Sequence, residues 1–222
     1  MAYDYDVLRL NELEDFSRFL HGLTDEQWDG PSLCEGWRVR DVVSHITIGY
    51  TTPMPRMLRI VAGYRFNVPK ASKEESIAFG SSHTPAELLQ AFDPIWQAHV
   101  RKGIAKLIKT TESLVDHVVH QQDCRRPLGL PREVPGDRLR AALDVAPNLS
   151  GFVGAKARAA GLRLEATDLD WSWGDGPVVR GAGEALLLAL CGRPVALADL
   201  DGEGMATLRS RVAPSAPASA AA

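Results

Sequence analysis

Apolar side chains recur at intervals of three and four along most of the first 160 residues, a spacing that helices satisfy and strands do not. Val7, Leu8, Leu10, Leu13, Phe16, Phe19, Leu20 and Leu23 make one such stripe, with acids and arginines on the opposite face. Thr24-Asp25-Glu26-Gln27 has the form of a capping box and starts a short further turn. Val39, Val42, Val43 and Ile46 open a second long stripe, expected to reach about Gly63 with a bend at Thr51-Thr52-Pro53-Met54-Pro55. Thr84-Pro85-Ala86-Glu87 is a strong helix start, and Leu88, Leu89, Phe92, Ile95, Trp96, Val100, Ile104 and Leu107 predict one long helix after it, kinked at Pro94. Another helix covers Leu114 to Asp123 and stops near Arg126-Pro127-Leu128-Gly129; a further one is expected from about Asp137 to Ala160. Residues 64–83 are polar and weakly periodic, which predicts a mobile loop.

The pattern changes after Gly161. Leu162 to Thr167 alternates with period two, and Asp170–Gly174 and Pro177–Gly181 read as further short strands joined by Gly and Asp turns. Gly183–Leu190 is expected to be a helix, and 203–211 a last one. The expected organisation is a helical bundle over 1–160, a small α/β domain over 161–212 docked against it, and a disordered tail over 213–222.

Composition limits the function classes. With 25 Lys and Arg against 28 Asp and Glu, the formal charge is −3, and no continuous basic stretch marks a nucleic-acid partner. The three cysteines, Cys34, Cys124 and Cys191, include no Cys-x-x-Cys pair, which argues against a disulfide framework and a cysteine-rich zinc site. Neither a signal segment nor an apolar run of membrane-spanning length is visible, so the expectation is a cytoplasmic protein with no membrane partner, a monomer or a homodimer.

The chemistry concentrates in Leu114-Val115-Asp116-His117-Val118-Val119-His120. On a helix, Asp116 and His120 leave the same face. A carboxylate and an imidazole so placed are two of the three protein ligands of an open divalent-metal site, and His45 on the second helix is the candidate third. Nitrogen and oxygen donors suit zinc, with other first-row divalent ions as alternatives. A plain ion pair between Asp116 and His120, and a core role for His45, are the competing readings. His117 lies off the ligand face and is expected at the surface or behind the ligands. Asp123 either orients His120 or pairs with Arg126, and Cys34 is read as a buried small apolar group rather than a nucleophile.

The block Cys34-Glu35-Gly36-Trp37-Arg38-Val39-Arg40-Asp41-Val42-Val43-Ser44-His45 resembles a motif of the mycothiol-dependent maleylpyruvate isomerase family, a branch of the DinB-like superfamily. Asp116-(x3)-His120-(x2)-Asp123-(x)-Arg125-Arg126-Pro127-Leu128-Gly129 is similar to its second block, and Gly161–Thr167 through Gly192-Arg193 to its small C-terminal domain. The resemblance implies a mainly α fold, a DinB-like four-helix bundle with a small C-terminal α/β domain. It implies a divalent metal, usually zinc, at the positions of His45, Asp116 and His120, and mycothiol or a similar low-molecular-weight thiol as cofactor. The family normally places Glu where this chain has Asp116.

The expected function is therefore that of a metal-dependent thiol isomerase or S-transferase acting on a small electrophile, with Arg125 or Arg126 binding a substrate carboxylate. Two alternatives stay open: a non-catalytic metal-binding bundle acting as sensor or partner-binding module, and a metal-free helical scaffold.

Overall fold

A computed structural model describes residues 3–151 and 153–212; the expected disordered tail lies outside the described residues. Its contacts form two compact units, Met1–Glu133 and Val134–Ala222.

The first unit is helical: α1 (Tyr5–His21), α2 (Asp25–Trp28), α3 (Val39–Thr51), α4 (Met54–Gly63), α5 (Val68–Ser82), α6 (Pro85–Phe92), α7 (Pro94–Gln97) and α8 (Thr110–Arg125). The long helices α1, α3, α5 and α8 form the bundle, with α3 packed along α5, α1 along α8, and α3 also touching α8. Leu13, Phe16, Leu20, Trp28, Val42, Val43, Ile46, Leu88 and Phe92 fill its core. Phe16 meets Phe92 edge to face, with ring centroids 5.7 Å apart. Helix α8 is buried almost all round, from Ser113 to Cys124 with Asp116 as the exception. It therefore carries polar groups into the interior, where each must find a partner or cost free energy.

The local signals explain most of the boundaries. Asp4 caps α1, and the capping box of α2 is formed as expected, with Gln27 N donating to Thr24 Oγ1 and Thr24 N to Gln27 Oε1. The expected bend after Thr51 separates α3 from α4 at Pro53.

Two expectations for this unit fail. Residues 64–83 are not a loop: α5 runs from Val68 to Ser82 and lies against α3. Asn67 Oδ1 accepts from Lys70 N at 3.0 Å, so an Asn cap followed by Pro69 starts a helix whose polarity hides its period. The single helix expected over 85–107 is broken into α6, α7 and the 3-10 turn Gly103–Lys106. Pro94 interrupts the ladder, His99 has φ of +48° and Gly103 of +51°. At Gly103 a Cβ would overlap the Thr52 carbonyl, so only glycine lets this segment approach the end of α3.

The second unit joins α9 (Gly136–Val145), the 3-10 turn Ala146–Asn148 and α10 (Ala155–Ala159) to a four-stranded sheet. The helix expected over 137–160 is thus interrupted: Pro147 sits in the turn, and Gly151 and Gly154 have φ of +68° and +64°. The strands are β1 (Arg163–Ala166), β2 (Ser172–Trp173), β3 (Val178–Gly181) and β4 (Leu200–Asp201), in the order β2-β1-β3-β4. β1 runs antiparallel to β2 and parallel to β3, with Leu164 opposite both Trp173 and Val179. β4, two residues long, carries no alternation that a sequence reading could detect. α11 (Gly183–Leu190) is buried along nearly its whole length, and α12 (Met205–Val212) closes the unit. Trp171 is buried, and its indole N–H donates to Asp144 at 2.8 Å.

Candidate metal centre

Helices α3 and α8 bring His45, Asp116 and His120 together. Each offers a ligand atom, and the three atoms lie within 4.8 Å of one another. The His45 and His120 rings meet edge to face with centroids 5.3 Å apart. Asp116 Oδ1 is 3.3 Å from His120 Nε2, as the i, i+4 spacing requires. The edge of a tetrahedron with zinc–ligand bonds of about 2.0–2.1 Å is about 3.3 Å, a separation this pair matches, as an ordinary Asp–His ion pair also would. The donor set of two imidazoles and one carboxylate suits such an ion, and Asp116 exposes 46% of its side chain, leaving an open approach.

Each imidazole is held from behind. Nδ1 of His120 lies 2.9 Å from Oδ2 of Asp123, whose side chain is fully buried. Nδ1 of His45 lies 3.1 Å from Ser72 Oγ on α5. Both contacts leave the Nε2 atoms for the shared side, the arrangement by which outer partners orient metal-bound histidines. Asp123 thus does the first of the two things open to it in the sequence, orienting His120.

Cys34 departs from its expected role as a plain apolar filler. It is half-buried, and its thiol donates to Asp123 Oδ2 at 3.1 Å, with Sγ 3.9 Å from His120 Nδ1. Cys34, His120 and Asp123 form a second group of potential ligand atoms within 4.8 Å. The loop that carries Cys34 is pinned by Leu33 N donating to Asp123 O at 2.9 Å, and Gly36 turns it at φ of +76°. Trp37 then sets its ring 5.2 Å from that of His45.

The electrostatics are those of a coupled carboxylate–imidazole pair. Burial acts to lower the His120 pKa, but Asp116 and Asp123 outweigh it and hold the imidazole well above its ordinary range. Desolvation works to raise Asp116, and the neighbouring His120, His117 and His45 override it, holding the carboxyl below the usual carboxylate range. His117 is neither a surface residue nor a ligand. It is buried, its ring 5.5 Å from that of Tyr50, and burial pushes its pKa down to about 3. The same interior strip holds Arg9, whose guanidinium donates to the Tyr50 hydroxyl at 3.4 Å, and Gln121.

Arg125 is not brought to this cluster. Its guanidinium stacks 4.0 Å over the Phe19 ring and donates to the Leu130 carbonyl at 3.2 Å. Arg126 stands at the C-terminal cap of α8. Sequence reasoning missed Ser72, and it named Cys34 without its contact to Asp123. The Asn67 cap with Pro69 could have revealed the helix that carries Ser72, whereas nothing in the chain foretells the thiol–carboxylate contact.

With this geometry established, similarity to known proteins becomes informative. Residues 10–103 match the family model described as the mycothiol maleylpyruvate isomerase N-terminal domain. In sequence and fold, this chain resembles the mycothiol-dependent maleylpyruvate isomerase family. The crystal structure of a mycothiol-dependent maleylpyruvate isomerase point mutant is 18% identical, with a TM-score of 0.58 over 90% of this chain and 92% of that one. A second crystal structure of a mycothiol-dependent maleylpyruvate isomerase is 20% identical, with a TM-score of 0.56 over 86% and 88% of the two chains. No curated protein matches the sequence. The matched segment contains the Cys34–His45 block, and the shared fold is the mainly α bundle with a small sheet-bearing unit.

Proposed function

We propose that the chain is a mycothiol-dependent isomerase or S-transferase that works through a divalent metal, zinc foremost, held by His45, Asp116 and His120. The observation that carries this reading is the convergence of three ligand atoms from α3 and α8, with each imidazole fixed through its far nitrogen. A bound divalent ion would supply the positive charge that keeps a thiol ionised at neutral pH and so nucleophilic. The chain's own residues do the rest. Asp123 and Ser72 set the imidazole orientations, so little reorganisation accompanies ligation. The buried core beneath them shields one side, while the exposed flank of Asp116 admits a small thiol and its electrophile. The charge of Arg126, or of Arg125 if it leaves Phe19, would hold a substrate carboxylate.

The test is thiol-dependent loss of maleylpyruvate with mycothiol, or a simpler thiol such as glutathione, present: isomerisation returns the thiol unchanged, whereas S-transfer consumes one thiol per substrate. The expected result is metal-dependent turnover that a chelator abolishes, zinc restores and His45→Ala removes. Arg126→Ala is expected to raise KM with kcat little changed. Metal binding at the same three residues with no thiol chemistry would instead make the bundle a sensor, a reading to which the short Asp116 carboxylate lends some weight.

A further inference from the structure

Helix α4 stands apart in the first unit, because none of its residues is buried. Yet Met54, Met57, Leu58 and Val61 follow the i, i+3, i+4, i+7 spacing by which a helix seats itself in a core. Leu58 is 59% exposed, and Phe66, just beyond the helix, 74%. The 3-10 turn Gly103–Lys106 packs on α4 and extends this surface through Leu107 and Ile108, both exposed. With Val68 at the start of α5, these are five of the seven large apolar side chains exposed among the described residues.

Charge singles out the same place. Residues 42–73 and 94–111 hold nine Lys and Arg and no Asp or Glu, in a chain whose formal charge is −3. Arg101 is folded onto the Ala105 and Ile108 carbonyls, and the other eight cations are exposed. The sequence shows no basic run because the field is assembled from two segments separated by residues 74–93. Arg56 and Arg59 flank Leu58 on α4, and Lys106 and Lys109 flank Leu107 and Ile108. Glu75, just beyond the first stretch, accepts from the Tyr64 hydroxyl at 3.0 Å at the end of α4, so the cations outnumber the acids here rather than exclude them. Interleaved cations and apolar side chains are what an anionic interface selects, the cations meeting lipid phosphates while the apolar groups enter the acyl boundary. A nucleic-acid surface would use the cations but leave the aliphatic side chains in water.

We infer that α4 and the adjoining Gly103–Lys109 segment form a docking surface for an anionic lipid bilayer, with Leu58, Phe66 and Leu107 as the inserted groups. No helix among the described residues is long and apolar enough to cross a membrane, so the attachment is peripheral and reversible. It does not depend on the metal reading.

The experiment is co-sedimentation of the full chain with vesicles of phosphatidylcholine alone, or of phosphatidylcholine and phosphatidylglycerol at three to one. Binding to the anionic vesicles is expected to exceed that to the neutral ones by about tenfold or more and to fall steeply with salt. Leu58→Glu with Phe66→Ser, and separately Arg56→Glu with Arg59→Glu, should each remove most of it. All four residues are exposed, so an unchanged thermal transition can verify that each variant is folded. Absence of binding, equal binding to both vesicle types, or binding that neither variant weakens overturns the proposal. So does a vesicle-inert chain whose surface instead joins two copies, seen as a dimer that Leu58→Glu dissociates in sedimentation velocity.

Discussion

Asp116 is one methylene shorter than the glutamate normal in the family the chain resembles, yet its carboxyl already reaches to 3.3 Å from His120 Nε2. That contact lies within α8, and the ligand atom of His45 on α3 is within 4.8 Å of both, so the shorter arm still reaches the common point. Asp116→Asn should lower zinc affinity by more than the roughly 10–100-fold that loss of an outer partner costs. Asp123→Asn should fall inside that 10–100-fold range, because it removes only the charge behind His120. Titration calorimetry with zinc ranks the two, and equal affinity in wild type and Asp116→Asn would remove Asp116 from the site. A separate prediction concerns His117. Its folded pKa, about 3, lies below the ordinary value of 6.5, so the unfolded chain binds the extra proton first as pH falls. The stability it contributes is present above pH 6.5 and is lost progressively between 6.5 and about 3, on the order of a few kcal/mol. His120 has the opposite sign: its raised pKa favours the metal-free fold below about 6.5, and that contribution is lost as pH rises through the raised value. In urea melts of chelated protein across this range, His117→Leu should flatten the acid limb relative to wild type, and an unchanged slope would show that His117 is not the group that titrates.

Among the elements, α5 shows best where sequence reading succeeds and where it stops. Its close approach to α3 occurs at Gly80, where a Cβ would lie 2.5 Å from Asp41 Oδ1, 3.1 Å from Ser44 Oγ and 3.3 Å from the Arg40 carbonyl. Gly80→Val should destabilise the bundle by about 1–3 kcal/mol through overpacking. By pushing Ser72 away from His45, it should also weaken metal binding, measured on the same preparation. A stable variant with intact affinity would mean that α5 yields without consequence for the site. The stripes of α1 and α3 were legible because each buries one continuous apolar face, and Asp116 and His120 of α8 were legible because helical spacing alone puts them on one face. The Cys34–His45 block added the likeness that paired α3 with α8. By contrast, α5 buries only Ala71, Ser76 and Gly80, small residues that leave no apolar period to find. The breaks after Phe92 and Val145 were hidden for another reason: backbone turns at His99, Gly103, Gly151 and Gly154 are set by tertiary approach, while the apolar spacing runs on through them.

At the scale of the whole molecule, identities of 18–20% with TM-scores of 0.56–0.58 show how far the sequence of this fold can drift while the fold is kept. What a shared fold leaves undecided is whether the three converging side chains hold an ion, and the stability of the intact chain can decide it. An ion that binds the folded state stabilises it by RT ln(1 + [L]/Kd), about 2.7 kcal/mol at a hundredfold excess over Kd. For a chain of this size that corresponds to a rise of roughly 5–10 °C in the thermal transition. Zinc should therefore raise the calorimetric transition of the wild type by that amount, and a chelator should return it to the metal-free value. His45→Ala should show little shift, although its own melting point changes modestly because His45 is only half-buried. The comparison separates a built site from casual zinc uptake. Zinc captured by loose histidines or by the thiols of Cys34, Cys124 and Cys191 would act equally on both proteins, and capture by the unfolded chain would lower both transitions. A zinc-induced rise in His45→Ala as large as in the wild type would thus dissolve the α3–α8 centre and the thiol chemistry proposed on it, while leaving the bundle and its lipid-facing surface untouched.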